Sequence, residues 1–118
     1  MLPQHITNVL RPMLASNYPE IGEQDRVITW VGSLYDAIEA VGLPIFNAEQ
    51  VAAVCAMLVI KFLTDNIGLS PLIFACHLVY HSSKAEGQLR LSKKELFELE
   101  RFILRCVDHN ILTYRPAL

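Results

Sequence analysis

An unbroken apolar run, residues 51–60, is the feature that most constrains how this chain can fold. Asn47 and Gln50 precede it with the spacing of a helix N-cap and capping box, so a helix is predicted over residues 48–65. A helix that is apolar on every side has no face to offer to solvent and belongs in the middle of a bundle. The other segments must therefore pack around this one.

Four further helices are predicted from apolar periodicity and from start and stop signals. They cover approximately residues 4–15, 24–41, 71–83 and 93–109. Pro12 is expected to kink or split the first helix, Gly42 to end the second, and Asn110 to supply a left-handed stop after the last. The predicted fold class is all-α, a single compact orthogonal bundle of about five helices that forms one domain over residues 1–118.

Two short apolar runs, residues 89–91 and 111–114, flank the last predicted helix. Runs this short do not distinguish a strand from irregular structure. The pattern therefore leaves open a short two-stranded β-ribbon that pairs them.

Charge and cysteine content limit the classes of function. The chain has 10 basic and 12 acidic residues, and a net charge of −2 gives no strong field for a nucleic acid or an anionic membrane. Its three cysteines are odd in number and lack paired spacing, which favours a reducing compartment over a secreted disulfide scaffold. With no signal-peptide pattern or membrane span expected, a cytoplasmic location is predicted, and neither nucleic acid nor membrane is an expected partner.

His77 and His81 are four residues apart, which places both imidazoles on one side of a helix, as one metal ion would require. A complete site needs a third ligand, for which Cys106, His109 and Glu100 are candidates. Without a second matching pair, the simpler interpretation is two histidines at the rim of a core helix, hydrogen-bonded to backbone or water. The pair nevertheless keeps open a small-ligand or metal-binding helical protein that uses His77 and His81; no other cofactor is expected.

Glu100 is the one acidic side chain predicted to lie near the middle of an apolar helix face. The apolar residues of that face are Leu96, Leu99, Ile103, Cys106 and Val107. A buried carboxylate without a partner is costly or becomes protonated. Glu100 is therefore expected either to meet a cation, such as Lys61, Lys84 or a histidine, or to face a partner protein.

A Leu-Glu pair at residues 99–100 precedes several large apolar residues, and Ser83-Lys84 ends the helix before it. In this order, residues 26–116 resemble a shortened cyclin box, which lacks about one of that family's five helices. The resemblance implies that Lys84 and Glu100 contact a partner kinase. The same helix–loop–helix is also similar to TerB-like tellurite-resistance domains, with residues 85–87, Ala-Glu-Gly, in their Ala-Asp-Gly position.

The apolar content points to binding rather than catalysis. No phosphate-binding loop, nucleophile elbow or nucleophile–base pair is recognisable, so an enzyme is not expected. With 53% hydrophobic residues, two strongly apolar helices are more than one small monomer readily covers. The sequence predicts a small non-enzymatic interaction or regulatory module that self-associates or docks on a protein partner through an apolar helical surface, with Glu100 and Lys84 as partner-binding residues.

Overall fold

Four α-helices and one 3-10 helix make up the described part of the protein. The computed structural model describes residues 2, 4–19, 21–42, 48–64, 93–108 and 110–114. The α-helices are α1 (Gln4–Asn17), α2 (Gln24–Val41), α3 (Ala48–Thr64) and α4 (Lys93–Cys106), and the 3-10 helix is Ile111–Tyr114. The all-α prediction is confirmed for these ranges. They contain four α-helices rather than five, because the helix predicted over residues 71–83 lies outside them.

The α3 helix lies at the centre of the bundle, as its apolar run predicts. Every residue from 51 to 60 is buried, on all sides of the helix. Among the described helices, α3 packs most extensively against α2, followed by α4 and α1. Burying one large aliphatic side chain contributes roughly 1.5–3 kcal/mol, so α3 supplies much of the hydrophobic stabilisation. The radius of gyration is 12.8 Å, close to the roughly 13.5 Å of a compact domain of this length.

Pro12 was predicted to kink or split the first helix, and α1 runs through it without splitting. The Pro12 side chain is exposed, and the opposite face of the helix is buried in the core. That buried face consists of Ile6, Val9, Leu10, Met13 and Leu14. Its packing keeps the helix continuous although proline lacks an N–H for the helix ladder. The helix ends at Asn17 rather than at residue 15.

The α2 helix begins and ends where the sequence predicts. Gly42 follows it with a φ of 87°, and its N–H donates to the carbonyls of Ile38 at 3.3 Å and Glu39 at 3.1 Å. Glycine takes up this left-handed conformation without a steric penalty from a Cβ atom. The predicted stop at Gly42 is confirmed.

The α4 helix ends earlier than predicted and at a different left-handed residue. It stops at Cys106 rather than near residue 109, and Asp108, with a φ of 51°, takes the left-handed position predicted for Asn110. Aspartate tolerates this conformation because its short side chain can hydrogen-bond locally. The Asn110 N–H instead donates to the Val107 carbonyl at 2.9 Å, which closes the turn.

Residues 111–114 form a 3-10 helix, so the β-ribbon that the sequence left open with residues 89–91 is not supported. The indole Nε1 of Trp30 donates to the Ile111 carbonyl at 2.9 Å, and the Ile111 side chain is buried. These contacts hold the segment against α2 as a 3-10 helix, whereas pairing in a β-ribbon would require an extended backbone. Residues 89–91 themselves lie outside the described ranges.

Candidate functional site

The C-terminal end of α3 is where the buried helix first reaches solvent. After the buried residues come Lys61, Phe62 and Leu63; the Phe62 and Leu63 side chains are 47% and 37% exposed. Consecutive residues of a helix point about 100° apart, so these three face different neighbours. Together with Glu100 and Leu112, they form what we call the α3-end surface.

Trp30 lies beneath the apolar part of this surface. The rings of Trp30 and Phe62 pack edge to face, with their centroids 5.8 Å apart and an interplanar angle of 72°. The buried indole also holds the Ile111 carbonyl, and the next residue, Leu112, is 46% exposed. A single indole therefore contacts the Phe62 ring and the backbone of the residue before Leu112. An edge-to-face pair adds about 0.5–1.5 kcal/mol beyond area burial, which helps to fix the Phe62 ring.

Lys61 and Glu100 form the polar part of the surface. The distance from Lys61 Nζ to Glu100 Oε1 is 3.6 Å, and the two side chains are 28% and 13% exposed. This pair confirms that Glu100 meets a cation. Its second oxygen, Oε2, is buried and has no hydrogen-bond partner within the described ranges. A buried acceptor without a hydrogen bond costs about 1–3 kcal/mol. Glu100 therefore has a partner for its charge, while one of its oxygens stays unsatisfied.

The remaining predicted site residues cannot be placed beside this pair. Lys84, His77, His81 and His109 lie outside the described ranges, and their roles stay predictions. Among the residues that the structure describes, no group of three His, Cys, Asp or Glu side chains could hold a metal ion.

The two described cysteines are placed as core residues rather than reactive thiols. Cys55 is fully buried in α3, and Cys106 is partly buried in α4. Burial raises the pKa of both thiols. A raised pKa keeps the thiol protonated, whereas the thiolate is the form that attacks an electrophile or binds a metal.

The grooves on the described surface are open and shallow. One of about 340 Å³ lies between α1 and α2, where Leu2 and Thr7 face Ile28 and Gly32. Small-ligand sites usually enclose most of their ligand and bring a few polar groups together. This open groove favours contact with a surface over capture of a small molecule.

The apolar exposure at the end of α3 was not foreseen from the sequence. Phe62 and Leu63 continue the apolar run of α3, and periodicity gives no sign that burial stops at Lys61. Trp30 did carry a usable signal, because a buried indole N–H usually finds a hydrogen-bond acceptor. Its acceptor, however, belongs to a segment far along the chain.

Across the described ranges, the structure contains no helix with both the length and the apolar content needed to span a membrane. No protein-family model, no curated protein and no solved structure matches this chain. The cyclin-box and TerB-like resemblances therefore stay predictions from the sequence.

Proposed function

We propose that this chain is a small non-enzymatic interaction module that self-associates through the α3-end surface, with a second copy of the chain as the partner. The observation that carries the proposal is the position of Phe62, Leu63 and Leu112. Phe62 and Leu63 are exposed at the C-terminal end of α3, directly after its buried residues, and the buried Trp30 contacts both Phe62 and the backbone next to Leu112. Aromatic residues and neighbouring apolar side chains of this kind are typical centres of protein interfaces.

The polar residues of the surface suit a second copy. A two-fold interface brings the same patch of both copies together, so a patch that carries both charges can pair them across the axis. Lys61 and Glu100 provide one charge of each sign, and the net charge of −2 gives little overall repulsion. Glu100 stays the proposed polar contact, through the 13% of its side chain that reaches the surface beside Lys61. Lys84 is the second proposed contact, on the cyclin-box resemblance.

The expected association is weak. Fully burying a large apolar side chain contributes roughly 1.5–3 kcal/mol, so covering the exposed parts of three such residues on two copies contributes about 4–8 kcal/mol. Association itself costs about 4–15 kcal/mol in lost translational and rotational freedom. The most favourable balance of these two terms is about −4 kcal/mol, so a dissociation constant of about 1 mM or weaker is expected.

The proposal is tested by light scattering, over concentrations from the micromolar to the millimolar range. The wild-type chain should show a mass that rises with concentration. Phe62→Ser and Leu112→Ser should each weaken dimerisation about tenfold or more, since a loss of 1.4 kcal/mol corresponds to a factor of ten.

Val41→Ser is the matched control. Val41 is 61% exposed at the end of α2, about 16 Å along that helix from Trp30. Its substitution removes an exposed apolar side chain outside the α3-end surface and should leave dimerisation unchanged. An equal loss in Val41→Ser would contradict the assignment of the surface. A monomer at every concentration would exclude the second copy and leave a different protein as the partner.

A further inference from the structure

The buried part of α3 gives little information about how α3 should be rotated or shifted against its neighbours. Residues 51–60 are all apolar and all buried. A helix that is apolar on every side can turn or slide while burying similar apolar area. Apolar side chains of suitable total volume and spacing are enough to form a folded core. A single arrangement of the helices needs an additional contact that is satisfied in that arrangement alone.

The packing of α4 on α3 contains one such contact. Leu99 and Ile103 are fully buried on α4, and Glu100 lies beside them, with its Oε1 3.6 Å from Lys61 Nζ. Lys61 is the only charged residue of α3 after Glu49, which is near the opposite end of the helix. The pair therefore joins the only charge in the later turns of α3 to a largely buried charge on α4.

A shift by one helical turn would break this match in either helix. One turn moves a contact by three or four residues. On α4 those positions are occupied by apolar residues, namely Leu96, Phe97, Ile103 and Leu104. On α3, a shift toward the N-terminus would place Glu100 against Met57 or Leu58. Each shifted packing would leave a charge largely buried against an uncharged side chain, which is strongly unfavourable.

We propose that the Lys61–Glu100 pair is a register lock that selects one packing of α4 on α3 among several with similar apolar burial. Its net contribution to stability is small, because removing two charges from water offsets much of their attraction. The unsatisfied Oε2 of Glu100 is consistent with a contact that specifies more than it stabilises. The inference concerns the fold itself and holds whether or not the chain dimerises.

The test replaces the pair with apolar residues, in the double variant Lys61→Met with Glu100→Leu, within the full chain. This variant should keep its helix content and unfold at the same denaturant concentration as the wild type or a higher one. Its amide NMR spectrum, however, should show broadened or doubled signals from α3 and α4. A second packing populated on the order of 10% is expected, together with stronger binding of an apolar dye.

The charge exchange, Lys61→Glu with Glu100→Lys, is the matched control. It keeps one opposite-charge pair between the same positions and should give a single set of amide signals. The proposal is overturned if the apolar variant also shows one sharp set with the wild-type α3–α4 contacts. It is equally overturned if the apolar variant fails to fold, because the pair would then be required for stability. Multiple packings in the charge exchange would contradict it as well, and light scattering of the same samples separates repacking from self-association.

Discussion

Trp30→Phe should destabilise the protein mainly by releasing the 3-10 helix from α2. The indole is buried, and its Nε1 donates to the Ile111 carbonyl at 2.9 Å. Phenylalanine keeps an aromatic ring at this position but has no N–H. The buried Ile111 carbonyl is then left without its donor, and a void remains where the larger ring system was.

Both consequences can be given a magnitude. A buried carbonyl that loses its donor costs about 1–3 kcal/mol. The void left by the smaller ring adds about 1–2 kcal/mol, at roughly 24 cal/mol per Å³ of cavity. The expected loss is about 2–5 kcal/mol, a large fraction of the roughly 5–15 kcal/mol that stabilises a typical domain. The midpoint of thermal unfolding should fall on the order of 10 °C.

The free energy of unfolding can be measured by urea titration with far-ultraviolet circular dichroism, which needs no tryptophan signal. Phe62→Leu is the matched comparison, because it removes the ring that packs on Trp30 while the hydrogen bond to Ile111 stays. That variant should lose only about 0.5–1.5 kcal/mol of aromatic pairing. If Trp30→Phe costs no more than Phe62→Leu, the indole hydrogen bond is not an important anchor.

Two further predictions concern Asp108 and Cys55. Asp108 has a φ of 51°, which glycine adopts freely and valine does not. Asp108→Gly should therefore leave the free energy of unfolding unchanged or raise it by up to about 1 kcal/mol, whereas Asp108→Val should lower it by about 1–2 kcal/mol. Equal thermal midpoints for the two variants would contradict the argument from backbone strain. Burial raises the pKa of the Cys55 thiol, so its contribution to stability is present below the ordinary thiol pKa of about 8.5 and is lost as pH rises above it. The free energy of unfolding should therefore fall more steeply from pH 8 to pH 10 in the wild type than in Cys55→Ala. The same decrease in both proteins would contradict a contribution from the Cys55 thiol.

Local signals predicted the helices well, and tertiary packing explains the errors. The end of α2 matches the prediction because Gly42 acts on its own neighbours through backbone geometry. Pro12 was expected to kink or split α1, and the helix does not split because its buried face outweighs one missing hydrogen bond. The stop after α4 moved from Asn110 to Asp108, since both residue types tolerate a left-handed backbone and the surrounding turn decides between them.

The sequence by itself determined that the protein is built around a buried apolar helix, because ten apolar residues in succession leave no face for water. It also marked Glu100 as a charge that needed a partner. Only the tertiary structure decided that this partner is Lys61, and that Trp30 holds a carbonyl 81 residues away. The physical reason is the separation along the chain over which each kind of interaction acts. Caps and helical hydrogen bonds act within about four residues, whereas the partner of a buried charge or indole depends on which helix ends meet in space.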